Sequence, residues 1–407
     1  MTDRQSHAGR LAALGADADD LEALLDYTSN HFSPDRVAWP VTLPLDSEPH
    51  LEVWQEYADT VRQAGSIAPL ADAFPQLCFP IAQGISRTPE YISATRQGVS
   101  AAGTAELRLG LARPNDVRLL IHDTAAGQVP LLVVRDRGDF VRLVQAFAKR
   151  NEPAPVPDSQ GACMVAGYNN WDRVGRYRAA WQAEHGGQAD WGAEFKRMAA
   201  RKELYQDRFV ILSDGPYSAV TAADIGMEEP EWRTTSLAIR RDHECAHYLT
   251  KRVFGSMKDR LHDELIADFA GITAVEGRYR ADWFLRFMGL EHYPTYRTGG
   301  RLENYRGTPP LSARAFVVVQ TLVTRAAQHL DRFCAALGDS LEGTRERATI
   351  MVALASLTLD QMASAEAERY LEQAVSEARR RIRWQADLNQ PEGTVGKGRL
   401  TEGIDRP

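Results

Sequence analysis

The chain has 407 residues, 44% hydrophobic and 25% charged, with 48 basic and 55 acidic residues and a net charge of −7. This is an ordinary soluble composition, long enough for a substantial core and for more than one, and it offers no basic domain to a nucleic acid. Four widely separated cysteines without a C-x-x-C pair, no run of membrane-span length and no signal-peptide core point to a cytoplasmic protein with free thiols and no membrane partner.

Residues 1 to about 32 read as helical, with Asp19 or Asp20 as a cap before Leu21, Leu24 and Leu25. Pro34 to Pro44 breaks the pattern. Leu51 to Gln63 is a second helix, with Trp54, Tyr57, Ala58 and Val61 on its buried face. Ala105 to Asp136 changes character. Its three β-rich runs, AELRLGLA, VRLLIHDT and VPLLVVRD, are separated by RPND and AAGQ and predict an antiparallel meander. Asp139 to Lys149 returns to helical spacing, with Phe140, Leu143, Val144 and Phe147 on one side. Pro153, Pro155 and Pro157 then mark a linker. The expected division is a module of residues 1–150, a second module of 155–388 and a disordered tail of 389–407.

After the linker, Tyr168, Trp171, Asp172 and Arg173 cluster in what reads as a short loop. Trp181 to Lys202 is polar and helical, with a break at Gly186-Gly187. Tyr205 to Ser213 is the strongest strand of this half. A helix beginning near Glu229 or Thr235 follows, and it carries H-e-x-x-H chemistry: His243, Glu244 and His247. Residues four apart on a helix share a face, so both imidazoles can meet one metal while Glu244 reaches a bound water as general base. Lys251, Arg252 and Gly255 end the helix. A second helix from about Leu261 places Glu264 and Asp268 on one face, Glu264 seventeen residues after His247. A catalytic zinc takes three protein ligands and one water. Glu264 is the expected third ligand, with His262 and Asp263 as rivals that face other directions. Asp268 can take the free ring N–H of a ligand histidine and fix its tautomer. Cys245 is the expected buried neighbour rather than a ligand.

This pairing of H-E-x-x-H with E-x-x-x-D resembles the gluzincins, the thermolysin-like zinc metallopeptidases. The wider sequence is similar to an uncharacterised bacterial family with the same two motifs. The resemblance implies His243, His247 and Glu264 as zinc ligands, Glu244 as general base and Asp268 as support for the first histidine. It also implies a zincin-like module in the C-terminal half and, beside the motif helix, a substrate-binding strand for which Arg208 to Ser213 is the positional match. Arg240, Arg241, Asp242 and Cys245 depart from the residues usual around that motif.

Helical spacing continues past Ile272 to about Gly289, and the irregular stretch GLEHYPTYRTGGRLENYRGTPP follows. A loop of this length so near the ligands is a natural source of an oxyanion donor, with Tyr305, His292 and Tyr293 as candidates. Leu311 to Leu337 and Leu341 to about Leu388 read as an antiparallel helical pair. The fold expected is α+β and helix-dominated. The function expected is zinc-dependent hydrolysis of a peptide or small-molecule amide. The alternatives are a metal hydrolase of non-peptide substrates and a noncatalytic, zinc-stabilised binding protein. A ferritin-like dimetal bundle is rejected, because Glu264 does not begin a second E-x-x-H.

Overall fold

The computed structural model describes residues 3–99, 106–186, 190–257, 260–338, 341 and 343–385. Its strands are β1 (Val41–Leu43), β2 (Arg118–Thr124), β3 (Gly127–Val134), β4 (Ala162–Asn169), β5 (Gln206–Ser213) and β6 (Ile382–Trp384). Helices carry most of the remaining regular structure, so the α+β, helix-dominated expectation holds.

VRLLIHDT and VPLLVVRD form β2 and β3, joined through Ala125-Ala126. The Thr124 hydroxyl closes the turn: it donates to Gly127 O at 2.6 Å and accepts from Ala126 N at 2.9 Å. Ala105 lies outside the described residues, and the rest of AELRLGLA, 106–112, does not become a third strand. The amides of Arg108 and Leu109 bond Leu77 O at 2.9 and 3.1 Å, and those of Ala112 and Arg113 bond buried Asp139 at 2.7 Å each. With these donors taken, the run is held as a coil along the core, and the expected meander is a hairpin.

That hairpin belongs to a mixed four-stranded sheet ordered β2-β3-β5-β4. β3 and β5 are parallel, while β2 and β4 run antiparallel on the outside. The two central strands are buried on both faces, which is why they read as continuous apolar runs. Alternation along them separates two cores. Leu132, Val134, Phe209 and Ile211 face Trp54, Phe74 and Phe140, under the helices Leu51–Ala64 and Arg137–Lys149. Leu131, Val210 and Leu212 face the larger core, with Trp232, Phe269, Phe287 and Leu322.

The expected boundary near residue 150 therefore cuts through one sheet, which takes two strands from each side of it. The N-terminal segment does not stay with the first half either. Leu11, Leu24 and Phe32 pack in the larger core, and β1 pairs in parallel with β6 near the chain's other end. Of the expected C-terminal pair, the first is the helix Ala313–Leu337. The second is divided into Thr344–Ser356, Leu359–Ala363 and Ala367–Arg381. Leu357 is extended, and a Thr358–Gln361 capping box starts the next helix afresh. The expected tail, 389–407, lies outside the described residues.

The supposed loop at Tyr168–Arg173 is the end of β4 and the start of the helix Trp171–His185, with Asn170 as N-cap. Buried Asp207 gathers it, accepting from Trp54 Nε1 at 2.8 Å, from Asn170 Nδ2 at 2.7 Å and from Arg173. Those polar and aromatic residues are structural. Helix Ala18–Tyr27 has Asp17, not Asp19 or Asp20, at its N-cap. Among the described residues no helix is long and apolar enough to cross a membrane.

One glycine sets the spacing that matters most. Helices Glu229–Phe254 and Leu261–Glu276 pack together at Gly271, where an added Cβ would sit 2.6 Å from Ile239 O. In an open helix, alanine in place of glycine gains about 0.5–1 kcal/mol. Here the sign reverses, because the obstacle is backbone of the partner helix. Gly271→Ala is expected to lower stability by about 1–3 kcal/mol, the usual cost of overpacking. A denaturant titration checks it; an unchanged or raised midpoint refutes it.

Candidate metal centre

The motif helix Glu229–Phe254 begins with Pro230 in its first turn and ends at Gly255, whose φ is 69°. Trp232, Ser236, Ile239, His243 and Ala246 recur at three- and four-residue spacing and are buried. The second helix, Leu261–Glu276, is buried at every position from Leu261 to Thr273. It therefore carries Glu264 and Asp268 into the interior rather than along a surface.

The two helices bring His243, His247 and Glu264 together, each offering an atom within 4.8 Å of the others. The two histidine Nε2 atoms are 3.1 Å apart. Each lies 3.6 Å from a Glu264 oxygen. Ligands about 2.0 Å from a tetrahedral zinc are about 3.3 Å from one another, so the spacing fits one ion. The rivals are turned away: His262 Nε2 pairs with Leu354 O at 2.9 Å, and Asp263 meets His31 at 2.7 Å. Cys245 is buried and outside the triad.

Behind the triad stands a layer that holds His243. Its Nδ1 lies 2.8 Å from Asp268 Oδ1 and 2.8 Å from the Tyr217 hydroxyl, leaving Nε2 to face His247 and Glu264. Tyr217 also donates to Asp268 at 2.5 Å. Arg301 ion-pairs with Asp268, reaches Glu264 Oε2 at 3.4 Å, and donates to Tyr217 and Ser218 at 3.0 and 2.8 Å. Asp268 sits where the motif placed it. Tyr217 and Arg301 had no spacing to mark them: one lies in the turn after β5, the other in the irregular loop.

Arg240 explains how that turn is held. From one helical turn before His243 it donates to the carbonyls of Ser213, Gly215 and Pro216. Ser236 Oγ accepts from Tyr217 N at 3.0 Å. Ser218 and Ala219 follow at φ 51° and 57°, a left-handed pair without glycine, which costs energy that this framework offsets. The departures at 240 and 241 from the usual motif thus have a use at 240: it builds the wall of the site.

Burial alone would raise both carboxyls. Instead His247, His243 and Arg301 hold Glu264 well below its ordinary range, and Arg301 with His243 does the same for Asp268. Burial alone would lower His247, but Glu264, with Glu244 adding to it, pushes that ring up to about 9. Glu264 is thus a carboxylate ready to ligate, and His247 carries a proton that a metal must displace.

Glu244 is only partly buried and has no hydrogen-bond partner among the described residues. The short turn Arg301–Tyr305 delivers two groups at once, since the Tyr305 phenol lies close enough to Glu264 for that carboxylate, after burial, to help raise it. Buried Leu302 and a bond from Tyr27 to Tyr305 O at 2.7 Å anchor it. Tyr293 and His292 do not join: both are exposed, Tyr293 pairing with Thr321 and His292 with Thr295. The strand expectation also changes. β5 is paired on both sides, by β3 and β4, so it has no free edge for a substrate. The outer edge of β4 lies beside the motif helix.

No curated protein and no solved structure matches the chain. Residues 9–366, most of the chain, match one family model, and the chain therefore belongs to the family of unknown function DUF7005.

Proposed function

We propose that the chain is a zinc-dependent hydrolase of an amide or peptide bond. The observation that carries this reading is a carboxylate, Glu244, that has no hydrogen-bond partner among the described residues and lies near enough to His247, one of three converged ligands, to raise its pKa. His243, His247 and Glu264 would hold a zinc, which would supply Lewis acidity and a bound water with its pKa lowered to about 7. Glu244 takes a proton from the attacking water and hands it to the leaving amine. The Tyr305 phenol donates toward the substrate's carbonyl oxygen, which gains charge during attack. Asp268, Tyr217 and Arg301 keep His243 in one tautomer. An extended substrate adds to the outer edge of β4, whose Cys163 is near enough to Glu244 for its thiol to be raised, after burial, by that carboxylate.

Protein purified without added metal is expected to carry about one zinc per chain. Cleavage in a screen of amides and peptides should stop with a chelator and return with zinc. Elemental analysis and the screen together decide. A metal-free chain that resists zinc titration overturns the reading. A zinc-loaded chain that cleaves nothing leaves a zinc-stabilised binding protein.

A further inference from the structure

A cavity of about 470 Å³ opens beyond the carboxyl ends of the parallel strands β3 and β5. Arg135 and Asp136 directly follow β3, and Asp214 directly follows β5, with Asp214 N bonded to Val134 O at 3.3 Å. Crevices at the carboxyl ends of such strands are where open α/β sheets place ligands. Arg113, Arg137 and Arg233 complete an arginine-rich wall.

The charges there do not cancel. The lining has four arginines against Asp116, Asp136 and Asp214, a formal balance of 4 − 3 = +1. Arg118 stands close behind, near Arg135 and Asp214. Asp136 caps the helix Arg137–Lys149, accepting from Asp139 N at 3.0 Å. Arg137 donates to two carbonyls, Gln160 O and Pro157 O, at 2.6 Å each, and meets no carboxylate among the described residues. Asp214 is shared between Arg135 at 3.9 Å and Arg233 at 3.8 Å, and Arg113 is 3.7 Å from Asp116. These separations exceed hydrogen-bond length, so the three guanidinium groups keep their donors for something else. Repulsion shows in Arg118, which burial and Arg135 together hold below its ordinary value.

We propose that this cavity binds a doubly charged oxyanion, a phosphate monoester or a dicarboxylate, between the guanidinium groups of Arg113, Arg135 and Arg233. Guanidinium forks match both groups in geometry, and the net positive lining favours an anion such as a phosphate monoester, which carries about −1.5 to −2 at neutral pH. The site uses none of the metal ligands, so it stands or falls separately from the hydrolase reading. Asp214 and Tyr217 are three peptide links apart, at most about 11 Å, so an occupant lies near the turn that holds His243.

Isothermal titration of the full chain with inorganic phosphate and with succinate, each with and without a zinc chelator, tests this. Saturable one-to-one binding of at least one anion is expected, indifferent to the chelator and weaker at higher salt. Phosphate alone binding identifies the phosphate class, and succinate alone the dicarboxylate. Arg135→Gln with Arg233→Gln is expected to weaken binding at least about tenfold, since charged hydrogen bonds are lost. Both side chains are about half exposed or more, at 48% and 61%, so the fold should tolerate the change. Arg113→Gln, also exposed, is an independent variant expected to weaken binding. No saturation by either anion up to about 10 mM, or unchanged affinity in these variants, overturns the proposal.

Discussion

Glu244→Gln is expected to keep its zinc and to lower turnover on an amide substrate at least about a hundredfold, the scale of a lost general base. Glutamine preserves the shape and removes the proton acceptor. The metal should stay because Glu244 lies about 100° round the helix from His243 and is not among the converging ligands. No other residue hydrogen-bonds the carboxylate among those described, so no structural partner is orphaned by the change. Asp268→Ala should do the opposite. It removes the group that orients His243 and leaves Arg301 without its main carboxylate, so zinc affinity should fall roughly ten- to a hundredfold. Elemental analysis beside kcat separates the two variants. A Glu244→Gln protein with undiminished hydrolysis would end the mechanism and leave only the metal site.

His247→Ala is expected to abolish the stabilisation that zinc confers on the wild type, about 4 kcal/mol when free zinc is a thousandfold above its Kd. With two ligands left, the ion lacks the three protein contacts of a catalytic site. The same histidine sets the pH dependence. In the metal-free protein its pKa rises from 6.5 to about 9 beside Glu264. That proton's contribution to stability is fully present below 6.5 and is lost as pH rises through 9. Zinc needs the neutral ring, so its apparent affinity should fall about tenfold per pH unit below 9. Melting curves with zinc and with chelator should therefore diverge as pH rises from 6.5 to 9. Parallel curves, or a His247→Ala protein that zinc still stabilises, would count against His247 as a ligand.

Local periodicity determined a good part of this protein by itself. The helices over Leu51–Ala64, Arg137–Lys149 and Glu229–Phe254 were legible because each buries one face at a spacing of three and four residues. The triad was legible for the same reason, since i and i+4 on a helix meet whatever the helix packs against. Glu264 could be chosen over His262 and Asp263 because the face shared with Asp268 is also a local property.

Pairing between distant segments was decided only in three dimensions. AELRLGLA has the residues of a strand, yet Leu77 and Asp139 take its amides, and neither partner is marked in the run itself. β5 was recognised as a strand, but whether it had a free edge depended on β3 and β4, which lie about seventy and forty residues before it. Arg301 and Tyr217 reach His243 and its partners from irregular backbone, where no period relates a residue to a face. The arginine cavity needed the same information. Arg113, Arg135 and Arg233 are far apart in the chain, in the coil before β2, at the end of β3 and on the motif helix, and only the packing of these elements turns them into one charged wall.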